Sequence, residues 1–129
     1  MFKHLFVVAA MCVALLSSVP AWALAGAYQT YDQKTFADNS ASQRVLFFYA
    51  DWCPSCRSAD AILQKAQLPE NVIIYKVNYD QAAELKAQYG IMIQDTFVLV
   101  NAKGEKITQW IGIDYAMEDH FKAPDQTVK

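Results

Sequence analysis

The segment Cys53-Pro54-Ser55-Cys56 stands at a sharp change of pattern, and that change limits the folds open to this chain. Immediately before it, Val45-Leu46-Phe47-Phe48-Tyr49-Ala50 is an unbroken β-prone apolar run. Such a run reads as a strand buried on both faces, which requires a sheet covered by helices on each side. From Cys53 to about Ala66 the pattern turns helical, with Cys56, Ala59, Ile62, Leu63 and Ala66 on one stripe. Pro54 suits the first helical turn, where its missing N–H has no partner to lose. A strand that runs straight into a helix at a pair of cysteines predicts an α/β domain with that pair at the strand-to-helix junction.

The remaining elements follow from the same signals. Residues 26–43 are polar and mixed, with Tyr28, Tyr31 and Phe36 as apolar points, and predict a short edge strand and a short helix around Thr35–Asn39. Val72–Val77 reads as a second long strand. Asp80 is expected to cap a helix over Gln81–Tyr89, which Gly90 ends. Thr96–Val100 and Glu105–Ile111 flank Asn101-Ala102-Lys103-Gly104 and predict a hairpin. Tyr115–Lys122 predicts a short last helix. Strand–helix–strand implies a parallel pair with a right-handed crossover, and the hairpin adds antiparallel strands. The expected fold is a mixed central β-sheet flanked by helices on both faces.

Two residues between the cysteines let the sulfurs meet across the first helical turn. A helix N-terminus carries partial positive charge and free N–H groups, which favour a thiolate. Cysteines in such motifs have pKa values of roughly 3.5–7.5. Cys53 comes first, is expected to face solvent, and is the candidate nucleophile. Cys56 lies one turn in, on the apolar stripe, and is the candidate resolving thiol. Two other uses of the pair remain open from the residues alone: a structural bridge, or half of a metal site. A bridge over so short a loop adds little chain-entropy stabilisation, and no second cysteine pair is present.

The third cysteine belongs to a different segment. Residues 1–25 open with Lys3 and His4, continue through twelve uncharged residues from Leu5 to Leu16, and close on the A-x-A sites Ala21-Trp22-Ala23 and Ala23-Leu24-Ala25. This is the pattern of an export signal cleaved near Ala25. Twelve residues fall short of the ~20 needed to span a bilayer. Cleavage there leaves residues 26–129 as one domain whose only cysteines are Cys53 and Cys56. Export to an oxidising compartment allows that pair to form a disulfide. The net charge of −2 gives no basic footprint for nucleic acid.

Tyr49-Ala50-Asp51-Trp52-Cys53-Pro54-Ser55-Cys56-Arg57 resembles the active-site segment of the thioredoxin superfamily. It is especially similar to the C-terminal, thioredoxin-like domain of the bacterial transmembrane thiol reductase. Lys76–Asp80, Tyr89-Gly90-Ile91, Thr96–Leu99 and Asn101–Glu105 resemble later family segments, so the likeness spans about residues 30–122. It implies a thioredoxin-like fold and thiol–disulfide exchange with protein substrates. It also implies an active-site rim of Trp52, Pro54, Asp95 and Thr96, no cofactor, and an electron donor in the membrane or periplasm.

Two positions depart from the family pattern. Asp95 occupies the place of the family's cis-proline, before Thr96. A cis bond to a non-proline residue costs ~2.5–4 kcal/mol, so a trans or strained peptide is expected. A carboxylate there would oppose a Cys53 thiolate and could join Cys53 and Cys56 as a metal ligand. Replacing Asp95 by proline is then expected to lower the Cys53 pKa. The alternative is that Asp95 points to solvent. Phe47 occupies the place of a buried family acid, which leaves Lys76 without its usual partner, and Asp51 is the candidate acid/base substitute. The expected function is an exported thiol–disulfide oxidoreductase, acting as a reductase; a metal-binding or metal-delivery protein and a redox-inactive binding module are the alternatives.

Overall fold

The computed structural model describes residues 25–113 and His120. Residues 25–113 form, in order, β1 (Ala27–Thr30), α1 (Gln33–Asp38), β2 (Gln43–Tyr49), α2 (Pro54–Leu63), β3 (Val72–Asn78), α3 (Ala83–Tyr89), β4 (Thr96–Val100) and β5 (Lys106–Ile111). The expected last helix, Tyr115–Lys122, lies outside the described residues except for His120. The strand order is β1-β3-β2-β4-β5. β1, β3 and β2 are parallel, and β4 and β5 continue the sheet antiparallel. The mixed sheet expected from the sequence is therefore present.

Side chains of β2 alternate between two cores, as a pleated strand between two helical layers must. Val45 and Phe47 pack with Cys53, Cys56, Ala59 and Leu63 of the α2 layer, together with Phe97 and Trp110. Leu46 and Phe48 pack on the opposite face with Tyr75, Val77, Tyr89 and Ile91, under Phe36 of α1 and Leu85 of α3. Burying each such side chain is worth about 1.5–3 kcal/mol. Phe47 stacks on Phe97 at 4.3 Å, Phe97 on Trp110 at 5.5 Å, and Trp110 on His120 at 4.2 Å. The family's buried-acid place is thus filled by the first ring of an aromatic stack.

Several local expectations change. α1 starts two residues earlier than expected, capped by the Asp32 carboxylate, which accepts from Thr35 N at 2.9 Å. α2 ends at Leu63, so Ala66 lies beyond it and Ile62 is 52 % exposed. Asp80 does not cap α3; the helix starts after Ala82 with no side-chain cap. The reason is competition: Asn78 Oδ1 accepts from the Asp80 and Gln81 amides, which forms a turn first. Asp80 is then left to accept from Trp52 Nε1 at 3.0 Å. Gly90 ends α3 with φ 67°, a left-handed position glycine adopts freely.

Candidate active site

β2 ends at Tyr49 and the chain reaches α2 within a few residues, which fixes the cysteine pair at the carboxyl edge of the sheet. Cys53 is the N-cap of α2 and Pro54 stands in its first turn. The Cys56 amide donates to Cys53 Sγ at 3.2 Å. That contact is the one a thiolate at Cys53 would use, because a helix N-terminus leaves its first amides unpaired. Cys53 and Cys56 form a disulfide with Cα atoms 5.2 Å apart. Cys56 is fully buried, as its place on the apolar stripe implied.

Cys53 was expected to face solvent, and here the structure differs: in the disulfide it is 2 % exposed. Its sulfur is held against Cys56 and lies 3.3 Å from the Ser55 hydroxyl, and the residue packs into the α2-side core. Sequence pattern ranked the two cysteines by chain order alone and could not report this cover.

Asp95 does not point to solvent. It is 7 % exposed, in the loop before β4. Its Oδ1 is buried with no hydrogen-bond partner among the described residues. Burial pushes the carboxyl above the ordinary aspartate value of 3.8, against a smaller lowering by Ser55. No cis peptide occurs among the described residues; Asp95 instead takes a left-handed φ of 61°. Two main-chain bonds hold it there: its N–H donates to Phe48 O at 2.8 Å, and its carbonyl accepts from Gly112 N at 2.8 Å. Aspartate enters this region more readily than most residues. Thr96, expected at the rim, is buried, and its hydroxyl donates to Ile93 O at 2.8 Å. It closes the loop rather than lining an open surface.

The exposed rim is apolar. Trp52 is 57 % exposed and meets Tyr79 edge-on, while Met92 and Ile93 are exposed in the loop that leads to Asp95. Tyr79 ties the two sides together by donating to Met92 O at 3.2 Å. Pro54 is also exposed. Met92 and Ile93 were missed from the sequence; the available signal was two large apolar residues in a stretch otherwise read as a loop.

Asp51 is exposed, and its described contacts do not include a sulfur. Its carbonyl accepts from Arg57 at 2.9 Å. With Tyr49, Thr30, Lys76 and Asn78 it lines a small cleft of about 200 Å³. Lys76 was expected to lack a partner, yet it pairs with Asp60 of α2 at 3.0 Å and lies over the Tyr49 ring. Tyr28 also donates to Asp60, at 2.6 Å, and burial beside that carboxylate pushes the phenol far up. Asp60 follows Cys56 by four residues on α2, so helical periodicity held this signal. Among the described residues, no group of three or more His, Cys, Asp and Glu side chains is placed to hold a metal ion. With the cysteines joined in a disulfide, Cys53, Cys56 and Asp95 are not such a group in this form.

Residues 26–121 match the family profile described as Thioredoxin. The chain belongs to the thioredoxin family. It is similar to a thioredoxin-like protein of Fusarium culmorum, 33% identical over 64 residues, which cover 46% of this chain and 53% of the relative. It is also similar to a thioredoxin of Malassezia sympodialis, 30% identical over 88 residues, 66% of this chain and 83% of the relative. The match thus spans about half of the first relative's length and most of the second. The crystal structure of Trxlp from Edwardsiella tarda aligns with a TM-score of 0.52 at 26% identity, over 67% of this chain and 87% of that one. In this thioredoxin the cysteine pair, the rim tryptophan and the loop before β4 come together at one end of the sheet, with an aspartate in that loop.

Proposed function

We propose that this thioredoxin is an exported thiol–disulfide oxidoreductase that reduces disulfides of protein substrates. The observation that carries this reading is the Cys53–Cys56 pair at the N-terminus of α2, with the Cys56 amide directed at Cys53 Sγ. The reduced Cys53 sulfur attacks a substrate disulfide and forms a mixed disulfide. Cys56 then attacks Cys53, re-forms the internal disulfide and releases the substrate as two thiols. The two cysteines carry both electrons, so the step uses no cofactor. The exposed apolar surface of Trp52 and Pro54 suits extended protein substrates better than small charged ones. Export is supported by the Lys3–Ala25 pattern, and the periplasm then supplies both substrates and a donor, at the membrane or in solution. Similarity of the Trp52–Arg57 flanks to the bacterial thiol reductase supports the reducing direction.

The test is insulin reduction by the full chain beside Cys53→Ser, with Cys56→Ser used to trap a mixed disulfide. Turnover by the parent, none by Cys53→Ser and a trapped adduct on Cys53 are expected. Equal, negligible turnover in parent and Cys53→Ser would sink the enzyme reading. A potential for the pair well above that of the substrate disulfides would reverse the direction.

A further inference from the structure

Tyr79 follows the end of β3 and stands between the two banks of the apolar rim. Its N–H donates to Tyr49 O at 2.8 Å, which continues the β2–β3 pairing and fixes the main chain here. The ring is half-buried and packs against both cores of the sheet. Three further contacts leave the side chain in three directions. The ring meets Trp52 edge-on, with 6.5 Å between centroids. Lys86 Nζ of α3 lies 4.0 Å from the ring centre, over its face. The hydroxyl donates to Met92 O at 3.2 Å.

The two banks are otherwise held separately. Trp52 is tied back to Asp80 by its indole N–H, at 3.0 Å. The loop before β4 is held by its own neighbours: Ile91 N–H donates to Lys86 O, Ile93 O accepts from the Thr96 hydroxyl, and Asp95 N–H donates to Phe48 O. Among the described residues, the hydrogen bond that joins the exposed Met92–Ile93 stretch to the Trp52 side is the one from the Tyr79 hydroxyl. A phenol whose ring is fixed by packing is a stiff spacer, and its hydroxyl reaches a set distance beyond the ring.

We propose that Tyr79 is a positioning residue that fixes the spacing between Trp52 and the Met92–Ile93 loop, and so favours disulfides carried on extended polypeptide over small disulfides. The proposal rests on the thiol–disulfide reading above and deepens it. A polypeptide disulfide brings flanking side chains that lie along both banks, so it gains from a loop already held in place; ordering a free loop on binding costs affinity. A small disulfide carries no flanking chain and gains nothing from either bank. The described hydrogen bonds of Tyr79 go to Tyr49 and Met92 rather than to a cysteine, so the exchange itself stays with Cys53 and Cys56.

Tyr79→Phe tests this, because it keeps the ring against Trp52 and under Lys86 and removes the hydroxyl alone. Turnover of the full chain is measured with insulin and with hydroxyethyl disulfide, as kcat and KM separately. In Tyr79→Phe the KM for insulin should rise roughly three- to tenfold, the scale of one neutral hydrogen bond. The kcat for insulin and both constants for the small disulfide should stay at the parent's values. Met92→Ala, a truncation on the held bank, should also raise the insulin KM, and the double variant should lose less than the product of the two single losses. An insulin KM equal to the parent's, an equal loss with both disulfides, or losses that simply multiply would overturn the proposal. Hydrogen exchange of the oxidised chain answers without turnover: residues 91–95 should exchange faster in Tyr79→Phe, with β2 unchanged. Loop exchange equal to the parent's refutes the positioning role, whereas absent turnover in the parent refutes the reductase reading alone.

Discussion

Lys76 Nζ lies 3.0 Å from Asp60 Oδ1, an ion pair that joins β3 to α2 beneath the carboxyl edge of the sheet. The pair is largely shielded from water, and Tyr28 adds a hydrogen bond to the same oxygen. A charge paired and hydrogen-bonded in this way leaves its partners stranded when it is removed. Asp60→Ala should therefore destabilise the oxidised protein by about 2–3 kcal/mol, well above the value of an exposed pair. Urea unfolding measures the loss. The double variant Asp60→Asn with Lys76→Met should recover part of it, and strictly additive losses would show that the two residues do not interact.

Arg44 is a second buried charge, and its guanidinium bonds go to main-chain carbonyls rather than to a carboxylate. Its guanidinium donates to Phe36 O at 2.6 Å, Asn101 O at 2.7 Å and Ala102 O at 3.1 Å, and lies over the Phe36 ring. It thereby ties α1 to the β4–β5 turn at the end of the sheet opposite the cysteines. Burial pulls its pKa below the ordinary arginine value. A lysine cannot reproduce the planar fork, so Arg44→Lys should cost about 2 kcal/mol. The thiol chemistry should be unaffected. A change of less than about 0.5 kcal/mol in urea unfolding would show that these carbonyl bonds are replaced by water.

The central elements were legible because each carried a strong local pattern. The run Val45–Ala50 could only be a strand buried on both faces, and it is the middle of the sheet. The cysteine pair at its end was equally plain, since spacing and the helix N-terminus act within one turn. Asp95 was located as a departure, but whether it faced water or the cysteines depended on a loop conformation that no periodicity encodes. Asp80 was misread because two turn chemistries, a helix cap and the Asn78 turn, competed at adjacent residues. The partnerships Lys76–Asp60 and Trp52–Asp80 join residues 16 and 28 positions apart, and only the packing of β3 and the loops on α2 brings them together.

Restoring proline at residue 95 is not the simple return to the family loop that the sequence suggested. Asp95 has φ 61°, whereas proline is locked near −65°, and its N–H is used by Phe48 O. Asp95→Pro should lose about 3 kcal/mol or more and lower the Tm by roughly 12–24 °C. Asp95→Asn should stay within about 1 kcal/mol of the parent, because asparagine tolerates the left-handed region. Equal thermal stability of the proline variant, with a lowered thiol pKa, would mean that the loop switches to another conformation.

The buried Asp95 carboxyl also ties stability to pH, and the sign follows from its raised pKa. A carboxyl whose pKa is higher folded than unfolded binds more protons in the folded state between those two values. Its favourable contribution is complete below the ordinary value of 3.8 and is lost as pH rises through the elevated folded value. Asparagine is neutral throughout and mimics the protonated form. The difference in unfolding free energy between Asp95→Asn and the oxidised parent should therefore be constant at low pH, then move in favour of the variant across that window and level off above it. Urea unfolding of both proteins from about pH 3 to pH 8 measures this difference and cancels the other carboxylates, which are common to the two chains. A difference that stays flat across the range would mean that Asp95 titrates as an exposed aspartate.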